Sequence, residues 1–326
     1  MKQKIVIVLS VLLLLAVIYL IAKDLFSSSP KNEVNPCEYN IDKLKEIDSS
    51  LICYKEINQF DPDMQQCSGI AVDAQKNMYI SGNKVVSIFD SKAHKTRSFK
   101  VDTSANCIAV DNDDIYLGMG NHVEHFNRSG LKLSVWKAFN SKSLITSIAV
   151  NNKNVYVADA INKRVLKYTL DGKLELVLGA KDTSKGNTGF IVPSPYFDVV
   201  FGAFNDLWVV NPGKHRIENY SSLGELQSSW GLASIQLDGF AGCCNPVHIA
   251  VLPNGAFVTY EKGLDRIKIY DPTGKFECVV AGPTSFKGKS DFHCSQSSLL
   301  NDLTTDLEGN IYVLDAYNQV RIYAKK

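Results

Sequence analysis

The sequence carries no excess of either charge. Across 326 residues, 35 basic side chains face 34 acidic ones. Removing residues 1–26 takes away Lys2, Lys4, Lys23 and Asp24, and leaves 32 basic against 33 acidic residues. Such a body lacks the basic stripe with which proteins grip nucleic acid, so nucleic acid is not an expected partner. Catalytic signatures are missing as well. There is no G-x-S-x-G, no glycine-rich phosphate loop and no paired-carboxylate motif. The six histidines form neither H-x-x-x-H nor H-E-x-x-H. No two cysteines have the C-x2-C spacing of a zinc ribbon. The remaining composition, 45% hydrophobic and 21% charged, is that of an ordinary globular protein.

Charge is also absent from one continuous run, Ile5 to Ala22, "IVIVLSVLLLLAVIYLIA". Eighteen apolar residues are near the shortest length that crosses a bilayer. Lys2 and Lys4 before the run favour a cytoplasmic N-terminus. A cleaved secretory signal has a shorter apolar core and a small-x-small site, and "YLIAKDLFSSSP" shows no good one. The expectation is an uncleaved signal-anchor over residues 1–23, with secretion after cleavage as the alternative. Either way the body lies outside the cytoplasm, periplasmic or extracellular. Residues 24–50 read as a polar tether, with room for one helical turn at Ile41–Ile47. Eight cysteines in such a compartment are compatible with disulfides.

From Cys67 onward the chain repeats. Each unit opens on a small apolar triplet: Ile70-Ala71-Val72, Ile108-Ala109-Val110, Ile148-Ala149-Val150, Asp198-Val199-Val200, Ile249-Ala250-Val251 and Leu303-Thr304-Thr305. A turn follows, then an aromatic run such as "MYISG", "VYVAD" or "IYVLD". A third column reads polar-[Val/Ile]-x-x-[Phe/Tyr], as in "RVLKY", "RIKIY" and "QVRIY". Alternating apolar residues between Gly, Asn and Asp turns mark short antiparallel strands. Four strands per unit of roughly 40–50 residues predict an all-β six-bladed β-propeller spanning 51–326, preceded by the transmembrane helix. The sixth unit, Leu303 to Tyr323, has three strands only. An exposed edge is an aggregation liability. "SLICYKEINQF", Ser50 to Phe60, is therefore expected to supply the missing outer strand, with 51–60 closing the ring.

The segments Ile148 to Lys173, "IAVNNKNVYVADAINKRVLKYTLDGK", and Ile249 to Lys275, "IAVLPNGAFVTYEKGLDRIKIYDPTGK", resemble the NHL repeat. The resemblance covers about 270 residues of the chain. Units one and two depart from it, with Lys84 and His122 where later units carry Arg164, Arg216 and Arg266. The resemblance implies a binding platform. A minority of the family are enzymes, including zinc-dependent amidating lyases that use channel histidines. Of His122, His125, His215 and His248, only His248 abuts a first strand.

Propeller topology puts the connections leading into first strands on the same face as those joining second and third strands; we call this the upper face. It is expected to carry Cys67, Cys243, Cys244, Asn245, His248, His293 and Cys294, together with Arg164, Arg216 and Arg266. Three connections on this face are long, Asp182–Pro195, Gly231–Pro246 and Gly282–Leu300, and long loops in compact domains are often functional. A protein partner or a small ligand is the expected occupant. Cys243 and Cys244 admit three readings. One is a disulfide from either of them to Cys294. The second is a metal or cofactor site, a transition metal or iron–sulfur cluster on Cys243, Cys244, Cys294 and His293. The third is a redox-active pair of neighbouring thiols. Cys107 reads as a buried small hydrophobe, and a Cys37–Cys53 bridge would lock the closing strand. The arginine column reads as structural, pairing with polar groups of a neighbouring blade such as Asp159 or Asp315, with an anionic partner received by the ring as the alternative. Asn127-Arg128-Ser129 and Asn219-Tyr220-Ser221 are glycosylation sequons, of use only in a eukaryotic secretory pathway.

Overall fold

The computed structural model describes residues 2–26, 41–181, 188–286 and 298–326. The chain forms two compact units, residues 1–40 and 41–326. The described residues of the first form one helix, α1 (Lys2–Phe26). Among the described residues no helix is long and apolar enough to cross a membrane. The anchor expectation for Ile5–Ala22 therefore rests on the sequence alone.

The second unit is six sheets of four antiparallel strands, five of them in sequence order from the centre outward. Blade one runs from Cys67 to Lys100, blade two from Cys107 to Val135, and blade three from Ile145 to Leu178. Blade four runs from Val199 to Trp230, blade five from Phe257 and its inner strand His248–Val251 to Ala281. Blade six consists of Leu300–Thr305, Ile311–Asp315 and Val320–Lys325, completed on the outside by Tyr54–Phe60. The expected closure is thus observed, with Tyr54 opposite Lys325 and Phe60 opposite Val320. Arg321 fastens it: its guanidinium donates to Asp315 of its own blade and to Glu56 and Gln59 of the closing strand.

The repeat columns have clear packing causes. Second strands are buried on both faces because each is covered by two adjacent blades, and Met78–Gly82, Leu207–Asn211 and Ile311–Asp315 are buried throughout. The turn aspartates organise their own units. Asp73 accepts from the backbone of Gln75 and Asn77 and from the Tyr79 hydroxyl. Asp306 does the same for Glu308, Asn310 and Tyr312. The glycine of the third-to-fourth-strand turn has a second duty. Gly172 has φ +86°, and a Cβ there would lie 2.4 Å from the Trp136 ring of the preceding blade. Gly274 meets Trp230 in the same way. A left-handed turn and a close blade contact coincide at these positions, which only glycine satisfies.

The start of the propeller is fixed onto blade five. Cys53 is bonded to Cys278 in that blade's outer strand, and its backbone N–H donates to Val279. This corrects the Cys37–Cys53 pairing, because one sulfur cannot serve both bonds; Cys37 itself lies outside the described residues. The arginine column is corrected too. Arg266 pairs with Glu261 of its own blade, not with a neighbouring blade. Arg164 donates to the carbonyls of Lys163 and Gly179, and Arg216 is exposed. Asp159 instead accepts from the Leu144 N–H and the Asn162 amide.

Candidate functional site at the upper mouth of the channel

The inner strands surround a channel of about 260 Å³ lined by residues from all six blades. Strand pairing aligns one position across the blades. Gly69 lies opposite Ser81, Cys107 opposite Gly118, Ser147 opposite Ala158, His248 opposite Tyr260 and Asp302 opposite Leu314. In blade four Val199 pairs with Val209, which puts Asp198 at this position. The sequence alignment above, with Asp198 as the first residue of the triplet, is therefore one residue out of register. Such a slip moves a strand residue to the opposite face, and here it concealed an acid facing its neighbours in the ring.

The register places Gly69, Cys107, Ser147, Asp198, His248 and Asp302 in one ring, and all but Gly69 line the channel. Asp198 accepts from the backbone of Val199 and of Ile249 in the next blade. Asp302 accepts from Leu303 and from Ile70 in the next blade. His248 sits between the two acids, its Nδ1 3.4 Å from Asp198 and 4.0 Å from Asp302. Burial pushes the Asp302 carboxyl up to about 7; the His248 charge opposes this and the Asp198 charge adds to it. Burial lowers the His248 basicity, but hydrogen bonding to Asp198 and the charges of both acids outweigh it, and the imidazole is held above its ordinary value.

A pH dependence follows. An unfolded aspartate loses its proton near 3.9 and native Asp302 near 7. Between those values the native state binds more protons, so stability falls as pH rises from about 4 to about 7. His248, with a raised native value, contributes stability that is complete below about 6.5 and is lost as pH rises through the native value. Both slopes have one sign. Urea unfolding across pH 4–8 is expected to show a loss on the order of 2 kcal/mol that Asp302→Asn largely removes. An identical profile in the variant contradicts this account of the ring.

Above the ring the channel opens into a cavity of about 230 Å³ lined by Asn106, Leu144, Thr146, Pro195–Phe197, Val247, His248 and Asn301. The His248 Nε2 is buried and has no hydrogen-bond partner among the described residues. The Tyr196 ring stands edge-on to the imidazole with centroids 6.3 Å apart, and the Lys262 ammonium lies 4.5 Å from the Tyr196 centroid. Lys262 also donates to the Ser194 hydroxyl.

Beside this mouth lie the neighbouring cysteines. Cys243 is exposed, Cys244 is buried, both are free thiols, and their Sγ atoms are 3.3 Å apart. Asn245 is buried behind them and holds the loop through Ala241 and Lys262. Of the residues expected to meet on one rim, Cys243, Cys244 and Asn245 lie on the loop beside Lys262, and His248 lies at the mouth. Cys67 does not join them; it packs with Ile70, Met78, Tyr312 and Leu314 in the core between blades six and one. There burial pushes its thiol up to about 12. Cys107 is buried as expected, but at a ring position. His293 and Cys294 lie outside the described residues, so the four-ligand set proposed for a metal is not described as a whole.

Among the described residues no three His, Cys, Asp or Glu side chains are placed to hold a metal ion. His122 contacts Asn121 and Glu124, His125 bonds Asp114 at 2.6 Å, and His215 bonds the Gly242 carbonyl. Among the described residues only His248 reaches the channel, so the described histidines do not assemble a channel site of several histidines.

No known family signature matches the chain, and no curated protein matches it. Solved structures do. The chain is similar to a streptogramin B lyase at 14% identity and TM-score 0.60, over 86% of this chain and all of that one. It is similar to virginiamycin B lyase from Staphylococcus aureus at 12% identity and TM-score 0.58, over 84% of this chain and all of that one. The WD40 propeller domain of Doa1 matches at 13% identity and TM-score 0.53, over 80% of this chain and 79% of that one. The fold is a six-bladed β-propeller. At these identities the likeness extends to the fold and no further.

Proposed function

We propose that this propeller is an NHL-type, membrane-tethered ligand-binding protein working outside the cytoplasm, and that its ligand enters the upper mouth of the channel. One observation carries the binding reading: the buried His248 Nε2, without a hydrogen-bond partner among the described residues, lines a cavity that Tyr196 flanks. Buried polar atoms are ordinarily satisfied, and an orphan lining a pocket is a natural ligand contact. Nδ1 is turned to Asp198, and the acids raise the basicity of the imidazole, so Nε2 donates whenever the ring carries its second proton. The complementary ligand is a small polar molecule with a carboxylate or carbonyl acceptor and a flat face for Tyr196. Tethering is supported by the uncharged run Ile5–Ala22 after Lys2 and Lys4. An oxidising compartment is supported by the Cys53–Cys278 bond.

Ligand-observed NMR of small aromatic carboxylates and amides against residues 41–326 tests this reading. Saturation transfer is expected with the wild type and is expected to fall at least tenfold in affinity terms with His248→Ala, the loss of about 1.4 kcal/mol that one charged hydrogen bond readily supplies. Equal binding by the variant contradicts it. Lyase activity is a second reading, favoured by the imidazole between two carboxylates and by the neighbours' named activities. Quinupristin, the compound bound by a catalytically inactive virginiamycin B lyase, is its probe. A new chromatographic species absent with His248→Ala supports that reading, and unchanged quinupristin removes it.

A further inference from the structure

The ligand reading leaves Cys243 and Cys244 without a role. Their placement is not incidental. Asn245 clamps their loop through three hydrogen bonds, Ala241 donates to Glu261, and the His215 ring bonds the Gly242 carbonyl. The loop therefore presents both sulfurs to one side of the upper face. Lys262 and Ser194 are each hydrogen-bonded to Cys244. We propose that Cys243 and Cys244 form a two-thiol chelate for a single trivalent arsenic or antimony centre.

The distances decide among the chemistries open to such a pair. A direct S–S bond needs about 2.05 Å and Cα atoms at least about 4.4 Å apart. Neighbouring residues across a trans peptide have Cα atoms only about 3.8 Å apart. Direct oxidation of the pair is thus disfavoured, while a bridging atom is not. The Sγ atoms stand 3.3 Å apart. An atom bonded to both at about 2.3 Å, the usual length to a thiolate, would subtend an angle of roughly 90°. Tetrahedral zinc needs the sulfurs about 3.8 Å apart, and a linear two-coordinate ion about 4.6 Å, at that bond length. The near-right angle is the bonding geometry of a trivalent pnictogen. Its third position stays open, in keeping with the lack of a third His, Cys, Asp or Glu ligand among the described residues.

The environment assists the reaction. Burial pushes the Cys244 thiol up, but hydrogen bonds from Ser194, Lys262 and Cys243 outweigh this, and its net shift is downward. Cys243 is held above its ordinary value by its hydrogen bond to Cys244 and by that sulfur's charge. Of the two, Cys244 is therefore the first to give up its proton, with Cys243 as its hydrogen-bond donor. Capture of a monosubstituted arsenic(III) dihydroxide forms two As–S bonds and breaks two As–OH bonds. Each departing hydroxide takes one thiol proton and leaves as water. Arsenic keeps its oxidation state, so neither oxidant nor reductant is needed.

Phenylarsine oxide is the probe, titrated into residues 41–326 and read by intact mass and by isothermal calorimetry. One phenylarsenic per chain is expected, with two thiol protons lost. Cys243→Ser and Cys244→Ser are each expected to weaken binding roughly 10²–10⁴-fold, since a chelate depends on both arms. Cys294→Ser is expected to bind as the wild type does. Lys262→Met is expected to keep the stoichiometry but to move the pH profile of uptake upward. Each variant is checked for an unchanged melting curve, and Cys67 and Cys107 serve as buried thiols that do not react. Three results overturn the proposal: tight binding by either single serine variant, loss of binding in Cys294→Ser, or a wild type isolated with Cys243 or Cys244 already in a disulfide.

Discussion

Glu261→Gln is expected to destabilise the propeller by about 3–5 kcal/mol, the penalty for removing one partner of a buried charge cluster. Glu261, Arg266 and Lys268 are all essentially inaccessible in blade five. One Glu261 oxygen accepts from the Arg266 guanidinium at 2.8–2.9 Å and lies 3.1 Å from the Lys268 ammonium. The other accepts from the Ala241 N–H. Two cations thus depend on one carboxylate, helped by the Gly239 and Ile235 carbonyls and the Phe240 and Tyr270 rings. Glutamine preserves the shape and removes the charge, so the loss is electrostatic. Burial already lowers the Lys268 amine to about 8, against the pull of Glu261. In the wild type the unfolded state therefore binds more protons between about 8 and 10.5, and stability rises with pH across that window. Without the Glu261 charge the amine falls further, and the rise begins at lower pH. Urea unfolding at several pH values checks both the loss and the shift. A loss below about 1 kcal/mol would show that the cluster is not the keystone of blade five. The effect also reaches the candidate site, because Ala241 opens the loop that carries the two thiols.

The second large effect concerns closure. The Cys53–Cys278 bond joins residues 225 apart in sequence. Constraining so long a loop in the unfolded chain is worth about 5 kcal/mol in the entropic account, and removal of native disulfides typically costs 2–5 kcal/mol. Cys53→Ser with Cys278→Ser is expected to fall in that range, with the closing strand Tyr54–Phe60 losing hydrogen-exchange protection before any other strand. The bond lies where the ring needs it. Val279 accepts from Cys53, Cys53 accepts from the C-terminal Lys326 N–H, and blade six is completed only by the strand that follows. An unfolding midpoint unmoved by reductant would instead put the closure energy in Arg321 and its partners on the closing strand.

The fold was legible because its cause is periodic. Each blade buries its second strand on both sides, so every unit repeats the same apolar and turn residues. A unit short of one strand had to borrow it, and the unassigned run "SLICYKEINQF" ahead of the first repeat identified the donor. The site was legible only in part. Cys243, Cys244, Asn245 and His248 stood out because they interrupt the repeat just before an apolar triplet. Asp198 and Asp302 did not, since an acid beside a turn is ordinary in every unit. Aligning the residue before each triplet would have brought Asp198, His248 and Asp302 into one column, but the blade-four triplet begins at Val199, one residue later than its sequence suggests. Tyr196, Ser194 and Lys262 reach the mouth from a loop and from a strand end, and no period marks such positions. The arginine column misled for a related reason: the register showed where the arginines recur but not what each one meets, which is Glu261 of its own blade for Arg266 and backbone carbonyls for Arg164.

The most direct test of a ligand site at the channel mouth is a crystal structure of residues 41–326 soaked with small aromatic carboxylates and amides. The account predicts electron density in the mouth, with an acceptor within about 3 Å of His248 Nε2 and an aromatic face against Tyr196. Ligands found only elsewhere on the propeller, with the His248 Nε2 satisfied by a neighbouring protein atom, would contradict it.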